Sequence, residues 1–480
     1  MHTLLRGFAA LLLPTVVVAQ SPTAIVRRAV DAIGGEQALR GVTNQVIDVN
    51  SALFQLGQEE TPRSPARATL SFARISYDFG GRRYAIQQEN RAPAGPPARP
   101  RRVMANGVGM FVNNVTEAPD TPGGIATSER AMRTSPLAIL RTAIESPATL
   151  RAATAKRYRG ELMDAVRIGG ADTATLYFDR SNGLLTVVEI VTDDPVLGDR
   201  HTTTWYTRWQ SAGAVKYPRQ IDTEVNGRLS QHQVVTSAAV NATLADSTFA
   251  IADSIRTRFA NAPAAAPAAP VTLNELGPGV WRTEGGNYFS LVVEQPDRLV
   301  VVEAGGSAQR SRAVLDTLRS RFPSKRVAMV VSTHHHWDHT AGVREFMASG
   351  VPVVTHRRNV EFIREVGAAT KTVVRDAISR GRAAPAVTGV GDSLTIGSGP
   401  SRVVLYRLPS VHAEGILAAY VPNVRVLMVA DVLSPGATLP ALGSQEVVAM
   451  ATAYGITVDR VAGVHGGIAP WADVVRAARP

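Results

Sequence analysis

The sequence predicts an α+β protein of two domains, with an antiparallel, β-rich domain before one in which strands and helices alternate. Its 480 residues suit two or three domains of ordinary size. The run NAPAAAPAAP at residues 261–270 lacks the side chains for a core and is typical of an interdomain linker. We therefore divide the chain into a signal peptide (1–19), an N-terminal β-rich domain (20–260), a linker (261–272) and a C-terminal domain (273–480).

The first residues have the pattern of a secretory signal peptide. Arg6 precedes an apolar run over residues 7–18, and small residues end at Ala19. The run is shorter than the ~20 residues that span a bilayer, which disfavours a membrane anchor, and no later stretch is long and apolar enough. We expect a mature protein that is periplasmic or secreted and has no transmembrane span.

Composition excludes several classes of protein. The chain is 45% hydrophobic, which argues against disorder, and it contains no cysteine. Disulfide scaffolds, thiolate zinc fingers, iron–sulfur clusters and cysteine nucleophiles are thereby excluded. The net charge of +11 comes from scattered arginines without a recognisable nucleic-acid module. We therefore expect no nucleic-acid partner, while no pattern specifies an oligomeric state.

The N-terminal domain is predicted to be an antiparallel sheet with one or two helices. Periodicity predicts helices at residues 24–39 and 129–144, and loops at 95–97 and 122–124. Runs of β-branched and aromatic residues predict strands at 42–56, 68–79, 173–178, 184–191, 201–209 and 220–225. No group of His and carboxylate residues has ligand spacing here, so we expect no chemistry in this half.

Strands and helices alternate in the C-terminal domain. Strands are predicted at residues 288–293, 298–303, 327–331, 352–355, 401–408, 416–421, 424–429 and 461–464. Helices are predicted at residues 308–322, 340–348, 359–367 and 469–478. Loops at one edge of such sheets collect functional residues.

The strongest chemical signal follows the predicted strand at residues 327–331. His334 and His336 alternate along an extended segment, so both imidazoles can reach one ion. Asp338 and His339 follow as the chain turns into a helix, and can address a second position nearby. With no cysteine in the chain, a metal must use His and carboxylate ligands.

Three further residues follow predicted strands of the same domain. His412 and His465 come after two of them, and Asp431 closes a third. Each residue alone is a weak signal, since strand ends commonly carry polar residues. Together they lie at the same strand ends as the His-rich loop, which is the convergence that a binuclear site requires.

The segments THHHWDHTAG, SVHAEG, MVAD and GVHGG, in this order, resemble the metallo-β-lactamase fold hydrolases. The resemblance implies an αββα sandwich with two metal ions, usually Zn²⁺, at one edge; other divalent metals or iron are alternatives. It assigns His334, His336 and His412 to one ion, Asp338, His339 and His465 to the other, and Asp431 to a bridge between them.

The activity expected from the resemblance is hydrolysis of an ester, lactone, thioester or amide bond in a small molecule. Two cations lower the pKa of a shared water from 15.7 toward about 7, so a metal-bound hydroxide attacks at neutral pH. Asp338 is the predicted catalytic residue, which orients the nucleophile and carries a proton to the leaving group.

Two alternatives remain at this level. One is a β-lactamase-like or mononuclear-iron, sulfur-oxidising relative. The other is an envelope-binding carrier with a structural metal site, since AIGGEQALRGV and the following strands faintly resemble the half-barrel domains of periplasmic lipoprotein-sorting carriers.

Outside the ligand pattern, His335 and His356 are predicted to be orienting or surface residues. Trp337 is predicted to pack beneath the loop, with a wall of the substrate pocket as the alternative. Glu303 stands at a strand end where many members of the resembling family have Asp, which implies a place behind the ligands.

Overall fold

The computed structural model describes residues 20–92, 95–261 and 270–479. The predicted signal peptide, and residues 262–269 of the predicted linker, lie outside the described residues. Over the described ranges, we find no helix with the length and apolar character needed to cross a membrane.

The N-terminal domain is built on one antiparallel sheet of 13 strands, which confirms the predicted β-rich architecture. The strands are β1 (Asn44–Gln55), β2 (Arg67–Asp78), β3 (Arg83–Arg91), β4 (Arg101–Ala105), β5 (Val108–Asn113), β6 (Thr116–Pro119), β7 (Leu150–Tyr158), β8 (Glu161–Ile168), β9 (Ala174–Asp179), β10 (Leu185–Asp194), β11 (Gly198–Ala212), β12 (Val215–Val225) and β13 (Arg228–Val240). The chain starts at the centre of the sheet, meanders out to β6, crosses to β7 at the other edge and returns to pair β13 with β1.

The described part of this domain contains five α-helices: α1 (Pro22–Ala32), α2 (Glu36–Arg40), α3 (Pro122–Thr134), α4 (Pro136–Glu145) and α5 (Asp253–Ala260). Apolar residues of α1 and α4, such as Val30 and Leu140, pack on one face of the sheet. The structure corrects two predicted helices. The helix predicted at 24–39 is divided at Gly34 and Gly35, which both adopt positive φ. The helix predicted at 129–144 is divided at Pro136, which has no N–H to continue α3.

The C-terminal domain has two sheets. The first contains β14 (Thr272–Gly277), β15 (Val280–Glu284), β16 (Leu291–Glu294), β17 (Arg298–Val302), β18 (Arg326–Val331), β19 (Val353–His356) and β20 (Val387–Val390). The second contains β21 (Ser393–Ile396), β22 (Val403–Leu408), β23 (Ile416–Val421), β24 (Val426–Val429), β25 (Arg460–Gly463) and β26 (Ile468–Pro470). The helices are α6 (Ala308–Arg321), α7 (Trp337–Thr340), α8 (Val343–Ala348), α9 (Val360–Ala368), α10 (Ala441–Ala453) and α11 (Trp471–Ala477).

Three apolar cores arrange these elements in four layers. One core lies between the two sheets and includes Val331 and Met428. A second joins the first sheet to α6, α8 and α9, and a third joins the second sheet to α10 and α11. The predicted αββα sandwich is thereby confirmed, because each sheet has one face on its partner and the other on helices.

Within the described ranges, the two domains contact each other at two places. The Asp199 carboxylate, at the start of β11, accepts hydrogen bonds from Thr372 N at 2.8 Å and Thr372 Oγ1 at 2.6 Å. The loop between β1 and β2, residues 56–66, lies against α7. This second contact is next to the site described below.

Candidate metal centre

The seven predicted ligands come together at one edge of the αββα sandwich. His334 and His336 lie in the extended segment between β18 and α7, and Asp338 and His339 lie in α7 itself. The remaining three follow the ends of β22, β24 and β25, and are His412, Asp431 and His465. Interior strands fix the backbone on both sides of the edge, so four distant stretches of sequence meet there.

The first group of potential ligands consists of His334, His336, His412 and Asp431, whose nearest ligand atoms all lie within 4.8 Å of one another. His412 Nε2 is 3.0 Å from His336 Nδ1 and 3.2 Å from Asp431 Oδ2. Ligands at 2.0–2.1 Å from a tetrahedral Zn²⁺ are separated by about 3.3 Å. The spacing of this group therefore suits one such ion.

The second group consists of Asp338, His339, Asp431 and His465, within the same limit. His465 Nε2 is 3.4 Å from His339 Nε2 and 3.1 Å from Asp431 Oδ1. The Oδ2 atom of Asp338 lies 3.7 Å from His339 Nε2. This second set has the spacing of a second ion's ligands.

Asp431 belongs to both groups, with one oxygen toward each. Its Oδ2 faces His412 and, at 3.7 Å, His334 Nε2. Its Oδ1 faces His339 Nε2 at 2.9 Å and His465. A carboxylate divided in this way is in the position of a bridging ligand.

Outer hydrogen bonds orient the imidazoles of both groups. His334 Nδ1 is 3.1 Å from Thr333 Oγ1, and His339 Nδ1 contacts Glu303 Oε2. His465 Nδ1 is 2.9 Å from the carbonyl of Asn287, and His336 Nε2 is 2.9 Å from the carbonyl of Glu59. A ring that donates through one nitrogen presents the lone pair of the other. In each of these four rings, the free nitrogen faces the centre.

The buried Nε2 of His334 has no hydrogen-bond partner among the described residues. An unsatisfied buried nitrogen costs free energy unless a further group completes it. Five imidazoles and two carboxylates are also the nitrogen and oxygen donors that Zn²⁺ and similar ions accept. The residues present therefore fit a pair of divalent cations.

Burial and charge act differently on the histidines of the metal-free protein. Burial holds the pKa of His334 well below its ordinary value and lowers the pKa of His336 to about 4, so both rings are neutral at pH 7. Burial also opposes the charge on His339, but the Glu303 and Asp431 carboxylates outweigh it and raise its pKa to about 10. His339 therefore holds an additional proton at neutral pH.

The two carboxylates are ionised. Burial would raise the pKa of Asp431, but hydrogen bonds from His339, His412 and His465 hold it far below its usual range. Burial likewise opposes ionisation of Asp338, whereas His339, Tyr288 and Gln58 together lower its pKa. Both groups are consequently available as anionic ligands or proton acceptors at neutral pH.

Glu303 lies behind the ligands, where the resemblance implied that it would lie. It is 1% exposed and accepts from Thr333 N and Thr333 Oγ1, both at 3.2 Å, besides its contact with His339. Its φ of 74° is unusual for a residue with a side chain. Strain of this kind is typical of functional sites that the surrounding structure holds in place.

Three residues that contact the centre were not predicted. The Tyr288 hydroxyl donates to Asp338 Oδ2 at 2.8 Å, and Gln58 Nε2 donates to Asp338 Oδ1 at 2.8 Å. The Glu59 carbonyl accepts from His336, and also from His335 Nε2 at 3.0 Å. Gln58 and Glu59 come from the N-terminal domain, where we expected no chemistry. No motif marks them, since one contributes an ordinary amide and the other its main chain.

The two histidines singled out beside the ligand pattern are buried. His335 is 1% exposed and orients the loop through Glu59, and His356 is 1% exposed and caps the turn after β19 by accepting from Arg358 N at 3.3 Å. The surface alternative for these two residues was therefore wrong. Trp337 packs beside Val196 and Val366, and contacts Gly57 of the other domain.

Residues 283–460 match the family model described as "Metallo-beta-lactamase superfamily". A curated relative, the 2,4-dinitroanisole O-demethylase subunit alpha of Nocardioides sp. (strain JS1661), is 28% identical over 160 residues. That alignment covers 33% of this chain and 45% of the relative, so the chain spans under half of the relative's length.

Solved structures similar to this chain include a metallo-beta-lactamase from Pontibacter korlensis, with 17% identity and a TM-score of 0.34, covering 43% of this chain and 95% of that one. Another is the metallo-beta-lactamase FIM-1 from Pseudomonas aeruginosa in its mono-zinc form. Its sequence is 15% identical and the TM-score is 0.36; the match covers 44% of this chain and 95% of the FIM-1 chain.

Proposed function

We propose that this protein, whose residues 283–460 match the metallo-beta-lactamase superfamily model, is a binuclear, zinc-dependent hydrolase. The observation that carries the proposal is the division of the Asp431 carboxylate between two groups of ligands. The first group offers three imidazoles, and the second group offers two imidazoles and the Asp338 carboxylate. Neither group contains a thiolate. Zn²⁺ accepts such mixed nitrogen and oxygen donors without a redox role.

Two divalent ions bound here would supply a water of lowered pKa and would polarise the carbonyl oxygen of a substrate. The chain's own residues then handle the proton. Asp338 is ionised and is held through both oxygens, by Tyr288 and Gln58, so its carboxylate has a fixed direction. It is placed to accept a proton from the attacking water and to return it to the leaving group.

The bond that we propose is an ester, lactone, thioester or amide of a small molecule, since attack on a carbonyl suits this arrangement. The curated relative is named for O-demethylation of 2,4-dinitroanisole, so an aryl methyl ether belongs among the substrates to test. The signal-peptide pattern of residues 1–19 supports export to the periplasm or beyond. Scattered arginines without a binding module support a small-molecule substrate rather than nucleic acid.

The proposal is tested with the zinc-loaded full chain and a panel of lactones, thioesters, amides, phosphodiesters, β-lactams and 2,4-dinitroanisole. We expect turnover of one carbonyl class, and a fall in kcat of about 10²–10⁴-fold in Asp338→Asn, which removes the proton acceptor and keeps the shape. Asp316→Asn is the matched control, since Asp316 is an exposed residue of α6.

Three results would contradict this function. The first is no hydrolysis of any carbonyl substrate by a protein that holds two Zn²⁺. The second is full activity in Asp338→Asn. The third is a chain that binds one iron and oxidises a thiol or persulfide, which would favour the mononuclear alternative.

A further inference from the structure

The loop between β1 and β2, residues 56–66, brings the N-terminal domain to the metal centre. Gln58 contacts Asp338 in the second group of ligands, and the Glu59 carbonyl contacts His336 in the first. Two adjacent residues of one loop therefore each hold a ligand of a different group. The loop is 280 residues away from Asp338 in sequence, so this contact is a tertiary feature of the two-domain protein.

The loop is held in shape from its own side. Glu59 is 1% exposed, and its Oε2 accepts from Gly57 N at 2.8 Å while its Oε1 contacts Arg228 of β13. A buried carboxylate that is paired in this way fixes the backbone around it, because releasing it would leave an unpaired charge in the interior. The Glu59 carbonyl is consequently presented to His336 by a rigid segment.

The loop is also held by the C-terminal domain. Trp337 N donates to the carbonyl of Gly57 at 3.1 Å, and Glu414 N donates to the carbonyl of Glu60 at 2.7 Å. Arg67, at the start of β2, donates to the carbonyl of His412 at 3.0 Å. These bonds join the loop to the backbone of two ligand-bearing segments, the one that contains His336 and Asp338 and the one that contains His412. Relative movement of loop and centre would break several of them at once.

The contact with Asp338 has the geometry of an orienting bond. Gln58 Nε2 donates to Oδ1 at 2.8 Å, while the Tyr288 hydroxyl donates to Oδ2 at the same distance. These two hydrogen bonds restrict rotation of the Asp338 carboxylate. Its Oδ2 atom is thereby held toward His339 and the second ion position. Outer partners of this kind determine ligand direction, and their loss typically costs 10–100-fold in metal affinity or activity.

We propose that Gln58 is a positioning residue of the metal centre, so that the N-terminal domain completes the site of the C-terminal domain. This inference rests on the proposed metal centre. Gln58 fixes Asp338 for the second ion, while the neighbouring Glu59 carbonyl fixes the tautomer of His336 for the first. The N-terminal domain is thus part of the catalytic unit rather than a separate module.

The test compares Gln58→Met with Gln55→Met in the full chain. Methionine keeps the length of glutamine but donates no hydrogen bond, and Gln55 is an exposed residue at the end of β1. We measure Zn²⁺ affinity by competition with a chromophoric chelator, and the visible spectrum of the Co²⁺-substituted protein. Thermal unfolding of the metal-free proteins shows that both variants remain folded.

In Gln58→Met we expect one of two Zn²⁺ equivalents to bind 10–100-fold more weakly and the Co²⁺ spectrum to change. In Gln55→Met, the Zn²⁺ affinities and the Co²⁺ spectrum should match those of the wild type. A Gln58→Met protein with wild-type affinity for both equivalents and an unchanged spectrum would overturn the positioning role alone. A wild-type chain that binds no Zn²⁺ would instead overturn the proposed function on which this role rests.

Discussion

At the scale of single residues, the centre depends on which nitrogen each imidazole presents. His336 donates through Nε2 and faces the centre with Nδ1, whereas His334, His339 and His465 do the reverse. The partners that set these directions are a hydroxyl, a carboxylate and two carbonyls. The Glu303 carboxylate does more than orient, because it stabilises positive charge on His339.

This charge predicts that Zn²⁺ binding displaces a proton from His339. With a pKa raised to about 10, the ring is protonated in the metal-free protein at pH 7–8, but it must be neutral to bind a metal. Zn²⁺ affinity should therefore rise with pH, by up to about tenfold per unit for one proton. The number of protons released is measured by calorimetry in two buffers of different ionisation enthalpy.

The matched variant is Glu303→Gln, which removes the largest contribution to the raised pKa of His339 and retains the shape of the side chain. It should release fewer protons per Zn²⁺ than the wild type at the same pH. Equal proton release by the two proteins would show that His339 does not carry the displaced proton.

The ligand residues were predictable because their types and spacing are rare and chemically specific. His334, His336 and Asp338 sit in one short run, and Asp431 closes an apolar strand. Gln58 and Tyr288 could not be predicted in this way. A glutamine and a tyrosine occur throughout surfaces and cores, and their roles arise only from tertiary contacts with Asp338.

At the scale of elements, the β1–β2 loop packs tightly against α7 at Gly57, which lies next to the Trp337 ring. Gly57 has a φ of +83°, and a Cβ atom added there would lie 2.2 Å from the Trp337 ring. The position therefore requires glycine for its backbone conformation and for its contact with the other domain.

We predict that Gly57→Ala is more destabilising than Gly107→Ala. Gly107, in the turn between β4 and β5, has a φ of +77° but nothing within 4 Å of the added Cβ. Both variants have the cost of positive φ, about 1–2 kcal/mol. Only Gly57→Ala also forces Trp337 aside, which should add about 1–3 kcal/mol to the loss of unfolding free energy.

The two free energies are measured by urea denaturation of the metal-free proteins. Gly57→Ala should also bind Zn²⁺ more weakly, since the displaced loop carries Gln58 and Glu59 away from their ligands. Equal destabilisation in the two variants would contradict the tight contact between the loop and α7.

The elements were predicted where periodicity is strong and missed where polar residues obscure it. Apolar strands such as β18 and β23 were recognised, because buried strands form continuous runs of branched residues. The strands β3 and β7 were missed, since RYAIQQENR and LRAATAKRY carry charged or amide side chains on a sheet face that is partly exposed. The helix α10 was also missed, because its apolar residues lie on all sides.

At the scale of the whole molecule, two domains that differ in architecture share one centre. The αββα sandwich supplies the seven candidate ligands, and the antiparallel sheet supplies a loop that orients two of them. The division into a β-rich half and an alternating half followed from composition and periodicity. The contact between the two halves could not be predicted in this way, because the hydrogen bonds, ion pairs and apolar contacts that join them link residues far apart in sequence.

The most direct test of this account is a crystal structure of the zinc-loaded full chain with anomalous data collected at the zinc edge. We expect two peaks separated by about 3.5–4 Å, as in binuclear centres. One should lie about 2.0–2.2 Å from ligand atoms of His334, His336 and His412, the other at this distance from Asp338, His339 and His465, with Asp431 between them. A single peak, or peaks away from these side chains, would contradict the account.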